Sequence, residues 1–382
     1  MASLYLHIPF CEHKCIYCDF YSVAPNGSES HYTALIDRFL RTLKTEIELR
    51  AQEEQFQVPY ETVFFGGGTP SLLSPAHIEE ILGLLAKRFQ ISADAEITLE
   101  TNPGTVDLEK LRAFRAAGVN RISMGIQSFH DDDLKFLSRI HSAEQAKDCV
   151  RNAHWAGFDN VSFDLIFALP SQTLERWRSN LEQAMELAPQ HISTYSLIVE
   201  PNTPLQRMVE TKQVTPLSAE TDAELYEFTI HTLVSHGYEQ YEVSNFARQG
   251  FKSRHNGMYW NHSNYLGFGP SAHSFWSRRR WWNVANVVEY STRLEQGALP
   301  VAGDEQLNLE QLRNEEVFLG LRSEGIDVAG FRRRYNADLL TTHRRTVDDL
   351  VRDRLAILQG DRFRLTSKGY LLCDEICSSF LS

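Results

Sequence analysis

Six short apolar runs, each followed by a stretch of helical periodicity, fill the first 200 residues and constrain the fold more than any other feature of the chain. The runs are rich in Val, Ile, Phe and Tyr, and strands are expected at 4–8, 62–66, 96–100, 121–125, 161–167 and 192–198. Helices are expected between them at 31–51, 75–89, 107–117, 143–156 and 173–187. Ser74-Pro75 reads as an N-cap followed by proline at the first helical position, and Gly118 and Gly157 read as helix stops. Repeated strand–helix units build a parallel sheet with right-handed crossovers. Six units are two short of a closed eightfold barrel, so the expected class is α/β, a partial (β/α)6 barrel.

The alternation stops near residue 200. A helix is expected near 218–236, then an aromatic, His/Asn-rich irregular stretch over 238–283, then an α-rich, winged-helix-like module. Its wing is expected as two short strands about Gln359-Gly360-Asp361. A length of 382 residues accommodates two domains, drawn at 1–237 and 238–382. The net charge of −12 argues against a generally basic nucleic-acid binder. No 18-residue apolar run is present, nor is a signal or transit pattern, so a cytoplasmic location is expected.

Three of the six cysteines, Cys11, Cys15 and Cys18, fall within "HIPFCEHKCIYCDF". They stand too close together for a disulfide framework, and clustered thiols in a reducing compartment bind metal. They follow the first strand, and the other unusual polar groups also fall at strand ends. "GGGTP" (66–70) follows the second strand, "ETNPG" (100–104) the third and "GIQSF" (125–129) the fourth; Asp164 lies in the fifth, and Tyr195 and Ser196 in the sixth. Sites in such sheets form at the carboxyl ends of strands, so one shared site is implied. A structural zinc would need a fourth ligand, for which His13 is the only neighbour. Three thiolates with one open position suit a [4Fe–4S] cluster whose fourth iron takes an external ligand. "GGGTP" lacks the Lys-Ser/Thr of a phosphate loop, and its glycines admit close backbone approach to a ligand or simply a tight turn. Glu100 suits a ligand cation or a ribose, with a surface carboxylate at a loop start as the alternative, and Gln127 and Asp164 point the same way with like alternatives.

With these motifs in place, the chain resembles the radical S-adenosylmethionine superfamily. Within it, the chain is similar along its whole length to the oxygen-independent coproporphyrinogen III oxidase-like family. The resemblance implies that Cys11, Cys15 and Cys18 ligate a [4Fe–4S] cluster whose fourth iron is chelated by S-adenosyl-L-methionine (SAM). It further implies that Tyr5, Gly67 and Glu100 lie around the nucleoside and methionyl parts, with Tyr17, Gly68, Thr69, Gln127, Arg139 and Asp164 completing the site.

The sequence departs from the oxidases of that family in two places. They carry a fourth cysteine two residues after the third, where Phe20 stands here, and they carry an N-terminal extension ahead of the cluster. Both departures match a sister group of heme chaperones, which also carries an HNxxYW motif, present here as His255-Asn256-Gly257-Met258-Tyr259-Trp260. On that resemblance His255 is the candidate heme ligand, with a hydrogen-bonded structural histidine as the alternative. Tyr259, Trp260 and Phe268 are candidates to cover the macrocycle, and Arg278 to Arg280 to meet its propionates.

Two further signals are set aside. "GFGPSA" (267–272) is not in the first turn of a βαβ unit, and Cys373 and Cys377, four apart on a terminal helix, read as buried small hydrophobes. Residues 331–368 hold ten Lys/Arg against five Asp, a local excess that suits a docking surface better than nucleic acid.

The expected function is therefore a heme chaperone that holds heme, a [4Fe–4S] cluster and SAM. Its expected partners are heme-accepting proteins such as membrane-associated respiratory enzymes, and a homodimer is left open. Coproporphyrinogen oxidase activity is not expected. The alternatives are a radical oxidase of a porphyrinogen and a winged-helix regulator.

Overall fold

A computed structural model describes residues 2–25 and 29–381. The six expected strands form as β1 (Ala2–Ile8), β2 (Pro59–Gly67), β3 (Gln90–Thr101), β4 (Arg121–Gln127), β5 (Val161–Phe167) and β6 (His191–Ser196). They lie side by side in chain order, every neighbouring pair parallel. β1 and β6 do not pair with each other, so the sheet stays open and the barrel is partial.

The helices between them form for local reasons. The helix Ala143–Trp155 opens on a reciprocal capping box between Ser142 and Gln145 and buries Ala146, Cys149, Val150 and Ala153. Leu174–Glu186 buries Trp177, Asn180, Leu181 and Ala184 at the same three-and-four spacing. Ser74 caps Pro75–Arg88, and Gly118 and Gly157 take positive φ (107° and 88°) just past their helices.

The stretch expected to be irregular instead extends the sheet. The strands β7 (Glu239–Gln240) and β8 (Asn245–Ala247) add beyond β6, and β9 (Asn264–Phe268) lies parallel against β1. Then β10 (His273–Trp276), β11 (Arg279–Asn283) and β12 (Val301–Gln306) continue antiparallel, giving one sheet of 12 strands. One hydrophobic core runs from Ala2 to Leu294, across the position where the two expected domains meet. A buried carboxylate ties the added strands to the helix Glu29–Arg50. Glu46 accepts from the Gly269 amide (2.8 Å), Asn283 Nδ2 (2.7 Å) and the Tyr290 hydroxyl (2.7 Å).

Past residue 306 a smaller second core, Val317 to Phe380, lies among short helices and a three-stranded antiparallel sheet. That sheet comprises β13 (Ile326–Asp327), β14 (Ala356–Gln359) and β15 (Arg362–Leu365), and the β14–β15 hairpin turns at Gly360. Cys373 and Cys377 are buried in this core. Five of the ten basic residues are ion-paired: Arg332 faces Asp338 (3.6 Å), Arg333 faces Asp327 (3.9 Å), and Arg344 faces Asp348 (3.7 Å). Arg334 pairs with Glu316, and Arg352 with Asp349 (2.6 Å) and Asp353 (3.1 Å).

Candidate functional site

The cysteine loop leaves β1 and is fastened at three points. The Cys11 amide donates to the Val23 carbonyl (2.9 Å) and the Val23 amide to that of Pro9 (2.7 Å). The Tyr32 hydroxyl donates to the Cys11 carbonyl (2.8 Å), and the Leu205 amide holds the Ile16 carbonyl from the far side (3.0 Å). The glycine end of β2 crosses beneath this loop, with the Gly68 amide on Ile8 O (2.9 Å) and the Thr69 amide on Phe10 O (2.7 Å). A Cβ on Gly68 would stand 2.7 Å from the Phe10 carbonyl oxygen, so only glycine permits this crossing.

The rim expected from the sequence converges on one cavity of about 420 Å³, within the usual range for a small-molecule site. Tyr17, Cys18, Gly67, Gly68, Thr69, Glu100, Gln127, Arg139 and Asp164 all line it. Tyr5 stands beside Glu100: a Cβ built on Gly66 would meet Tyr5 Cε2 at 3.1 Å and Glu100 Oε2 at 3.2 Å. It faces a neighbouring cavity, and its hydroxyl meets His7 Nδ1 at 3.1 Å.

Two half-buried acids face the first cavity. Burial pushes the Glu100 carboxyl up to about 8, and the nearby Asp164 charge pushes in the same direction. Burial raises Asp164 to about 6 against the pull of its hydrogen bond from Ser193 and of Arg121 and Arg139. Carboxyls with raised values are poised to accept a ligand's cation or hydroxyl.

The donor set suits an iron–sulfur cluster. Burial pushes the Cys18 thiol up to about 11, with the Cys15 and Cys11 charges adding to it. Metal binding would remove that proton outright. Thr69 Oγ1 lies 3.6 Å from Cys11 Sγ, and Arg139 Nη1 3.6 Å from Cys15 Sγ. Arg139 Nη2 donates to the Gly125 carbonyl (2.6 Å), while its buried Nε has no hydrogen-bond partner among the described residues. A buried guanidinium with a spare donor beside thiols fits an anionic cluster. Among the described residues no three His, Cys, Asp or Glu converge as ligands of a single ion. Cluster thiolates each bind a different iron, so they need not converge on one point.

Sequence reasoning missed His141, whose ring bridges Asn102 Oδ1 (3.1 Å) and the Ile126 carbonyl (3.1 Å) and so ties the ends of β3 and β4. It also gave no sign that Gln127 takes φ 69°, a left-handed conformation that costs a non-glycine residue roughly 1–2 kcal/mol. That strain lies on the wall of the cavity.

His255 is buried against the face of the sheet that carries Tyr5, Thr62 and Phe64. Its Nδ1 meets Thr62 Oγ1 (2.7 Å) and its Nε2 the Tyr259 hydroxyl (3.0 Å), so both ring nitrogens are engaged. Burial lowers it to about 3, which keeps the ring neutral. Its helix (Arg254–Trp260) is held by Glu96, which accepts from the amides of Arg254 (3.1 Å) and His255 (3.0 Å). Of the other heme candidates, Phe268 is fully buried in the main core. Arg279 and Arg280 are paired with Asp304 (3.0 Å) and with Glu305 (3.0 Å) and Glu315 (2.7 Å). Tyr259 and Arg280 line the second cavity, of about 730 Å³, which shares Asp19 and Phe20 with the first.

This fold and rim define a protein of the radical SAM class, and residues 5–184 match the model of the radical SAM superfamily. Residues 307–372 match the HemN C-terminal domain. The Bacillus subtilis heme chaperone HemW is 34% identical over 383 residues, covering 100% of this chain and 99% of that protein. The Escherichia coli heme chaperone HemW is 40% identical over 273 residues, 71% of this chain and 69% of that one. The solved coproporphyrinogen III oxidase (HemN) of E. coli, a radical SAM enzyme, superposes with a TM-score of 0.85 at 26% identity, covering 99% of this chain and 89% of that one. The chain belongs to the HemW family of radical SAM proteins. Its superfamily implies a [4Fe–4S] cluster and SAM. No helix among the described residues is long and apolar enough to cross a membrane.

Proposed function

We propose that the chain is a heme chaperone that binds a [4Fe–4S] cluster, SAM and heme, and passes the heme to acceptor proteins in the cytoplasm or at the membrane surface. One observation carries the reading. Nine of the expected rim residues, Cys18 among them, line one cavity, and Phe20, at the position where the oxidases of the family carry a fourth cysteine, is 64% exposed and borders both that cavity and the larger second one.

In this reading Cys11, Cys15 and Cys18 hold the cluster, which supplies one-electron chemistry when bound. Gly67 and Gly68 let the backbone approach the ligand, and Glu100 receives its ammonium or ribose. Asp164 and Gln127 complete the polar wall, Thr69 donates toward the Cys11 sulfur, and Arg139 offsets the cluster's negative charge. Tyr17 closes the apolar side. Tyr5 and His255 act one layer back, His255 by orienting Tyr259 on the second cavity.

A second reading, oxidation of a porphyrinogen, is favoured by the likeness to HemN at TM-score 0.85. Anaerobically reconstituted protein separates the two. A chaperone takes up heme, gives it to an apo-acceptor in a transfer assay, and leaves coproporphyrinogen III intact in the presence of SAM and reductant. Decarboxylation of the porphyrinogen without heme uptake would install the second reading.

A further inference from the structure

The second cavity opens on the inner face of the sheet where β9, β10 and β11 extend it beyond β1, opposite Phe318 and Leu319 of the helix Leu309–Leu321. Three imidazoles face it, and they are not equivalent. His7 has both nitrogens engaged, Nδ1 by the Tyr5 hydroxyl (3.1 Å) and Nε2 by the Tyr21 carbonyl (2.8 Å). His262 stacks on Phe275 (4.5 Å between centroids) and directs Nε2 at Glu315 (3.0 Å). His273 is exposed and, among the described residues, makes no side-chain hydrogen bond; its ring lies against Trp282 at 5.8 Å and 25°.

Stacking fixes the plane of the His273 ring while leaving its nitrogens free. Desolvation by its neighbours and the Arg280 charge lower its pKa, which favours the neutral ring that a metal ligand must be. Tyr259, Tyr265 and Phe275 supply aromatic wall around it, and Phe20 projects at the edge shared with the first cavity. An exposed aromatic and an unbonded imidazole beside an aromatic-walled cavity suit a flat apolar ligand carrying a metal at its centre.

We propose that the cargo heme lies in this second cavity, with the His273 imidazole as its axial ligand and Phe20 covering its edge. The inference rests on the chaperone reading above and moves the ligand from His255 to His273. An exposed ligand suits a heme that must leave again, whereas His255 could ligate only by giving up its bonds to Thr62 or Tyr259.

The test is heme titration of full-length, cluster-loaded protein, followed by its Soret band and resonance Raman spectrum. Loss of outer partners alone costs a metal site about 10–100-fold in affinity, so His273→Ala should weaken heme binding at least about tenfold and shift the Soret band. Added imidazole should restore the band, and cluster absorbance should stay unchanged. His273→Cys, which keeps a ligating side chain, should give a thiolate-type spectrum and answers the same question if the alanine variant loses its fold. Wild-type affinity and Soret maximum in His273→Ala, or a histidine-type spectrum in His273→Cys, would overturn the site while heme binding stood. No heme uptake by the wild-type protein would overturn the chaperone reading itself.

Discussion

The Glu100 carboxylate accepts from the Gly67 amide at 3.2 Å, joining the end of β3 to the glycine end of β2 in the wall of the first cavity. A single amide does not offset desolvation and the nearby Asp164 charge, which push the carboxyl up to about 8 from 4.5. The sign of its pH linkage follows. Because the native value is raised, the group's contribution to the stability of the ligand-free protein is present below about 4.5 and is lost as pH rises through about 8. A ligand cation needs the ionised form, so binding expels the proton. SAM affinity should climb by up to about tenfold per pH unit as pH approaches 8 and level off above it. Glu100→Gln should weaken binding and flatten that profile. Calorimetric titration at several pH values checks this; a flat wild-type profile would remove the cation from Glu100.

Arg139 bridges the Gly125 carbonyl and the Cys15 sulfur. Removing a buried positive charge beside the cluster disfavours its reduced, more negative state. Arg139→Leu should therefore lower the cluster potential, by roughly 60 mV for each tenfold change in a one-electron equilibrium. Arg139→Lys should recover part of that shift, because it keeps the charge and loses the fork. A redox titration followed by electron paramagnetic resonance reads both.

The cysteines should sort by position. Cys11→Ala, Cys15→Ala or Cys18→Ala should abolish the cluster absorbance of about four irons per chain. Cys373→Ala and Cys377→Ala lie in the second core. They should keep the absorbance and cost stability on the order of 1 kcal/mol each. Iron and sulfide analysis after anaerobic reconstitution, beside denaturant melts, separates the two groups.

Glu46→Ala should be more damaging than either core cysteine. It leaves the Gly269 amide, the Asn283 side chain and the Tyr290 hydroxyl without their shared acceptor. Each orphaned buried donor costs about 1–3 kcal/mol, so a loss of at least about 3 kcal/mol is expected in urea unfolding. A loss below about 1 kcal/mol would mean that water replaces the carboxylate.

The strand–helix alternation up to residue 200, the helix caps and the rim motifs were legible in the sequence because each is a short-range pattern. A period of two or of 3.6, a Ser-Pro start, or three cysteines in eight residues needs no distant partner to be read. The strand ends carried the site with them: once six parallel strands were in place, Cys18, Gly67, Glu100, Gln127 and Asp164 had one rim to share.

Only the tertiary structure decided the rest. The pairing of β9 with β1 joins Asn264 to Ala2 and Phe268 to Leu6 across some 260 residues, and no local pattern in a five-residue aromatic strand announces it. That pairing carries β10 and β11 into place and opens the second cavity. It also settled which histidine is free. His255 and His273 look alike in sequence as lone imidazoles in an aromatic stretch. Packing sealed the first between Thr62 and Tyr259 and left the second exposed, because a side chain's spare hydrogen-bonding capacity depends on what the folded chain brings against it.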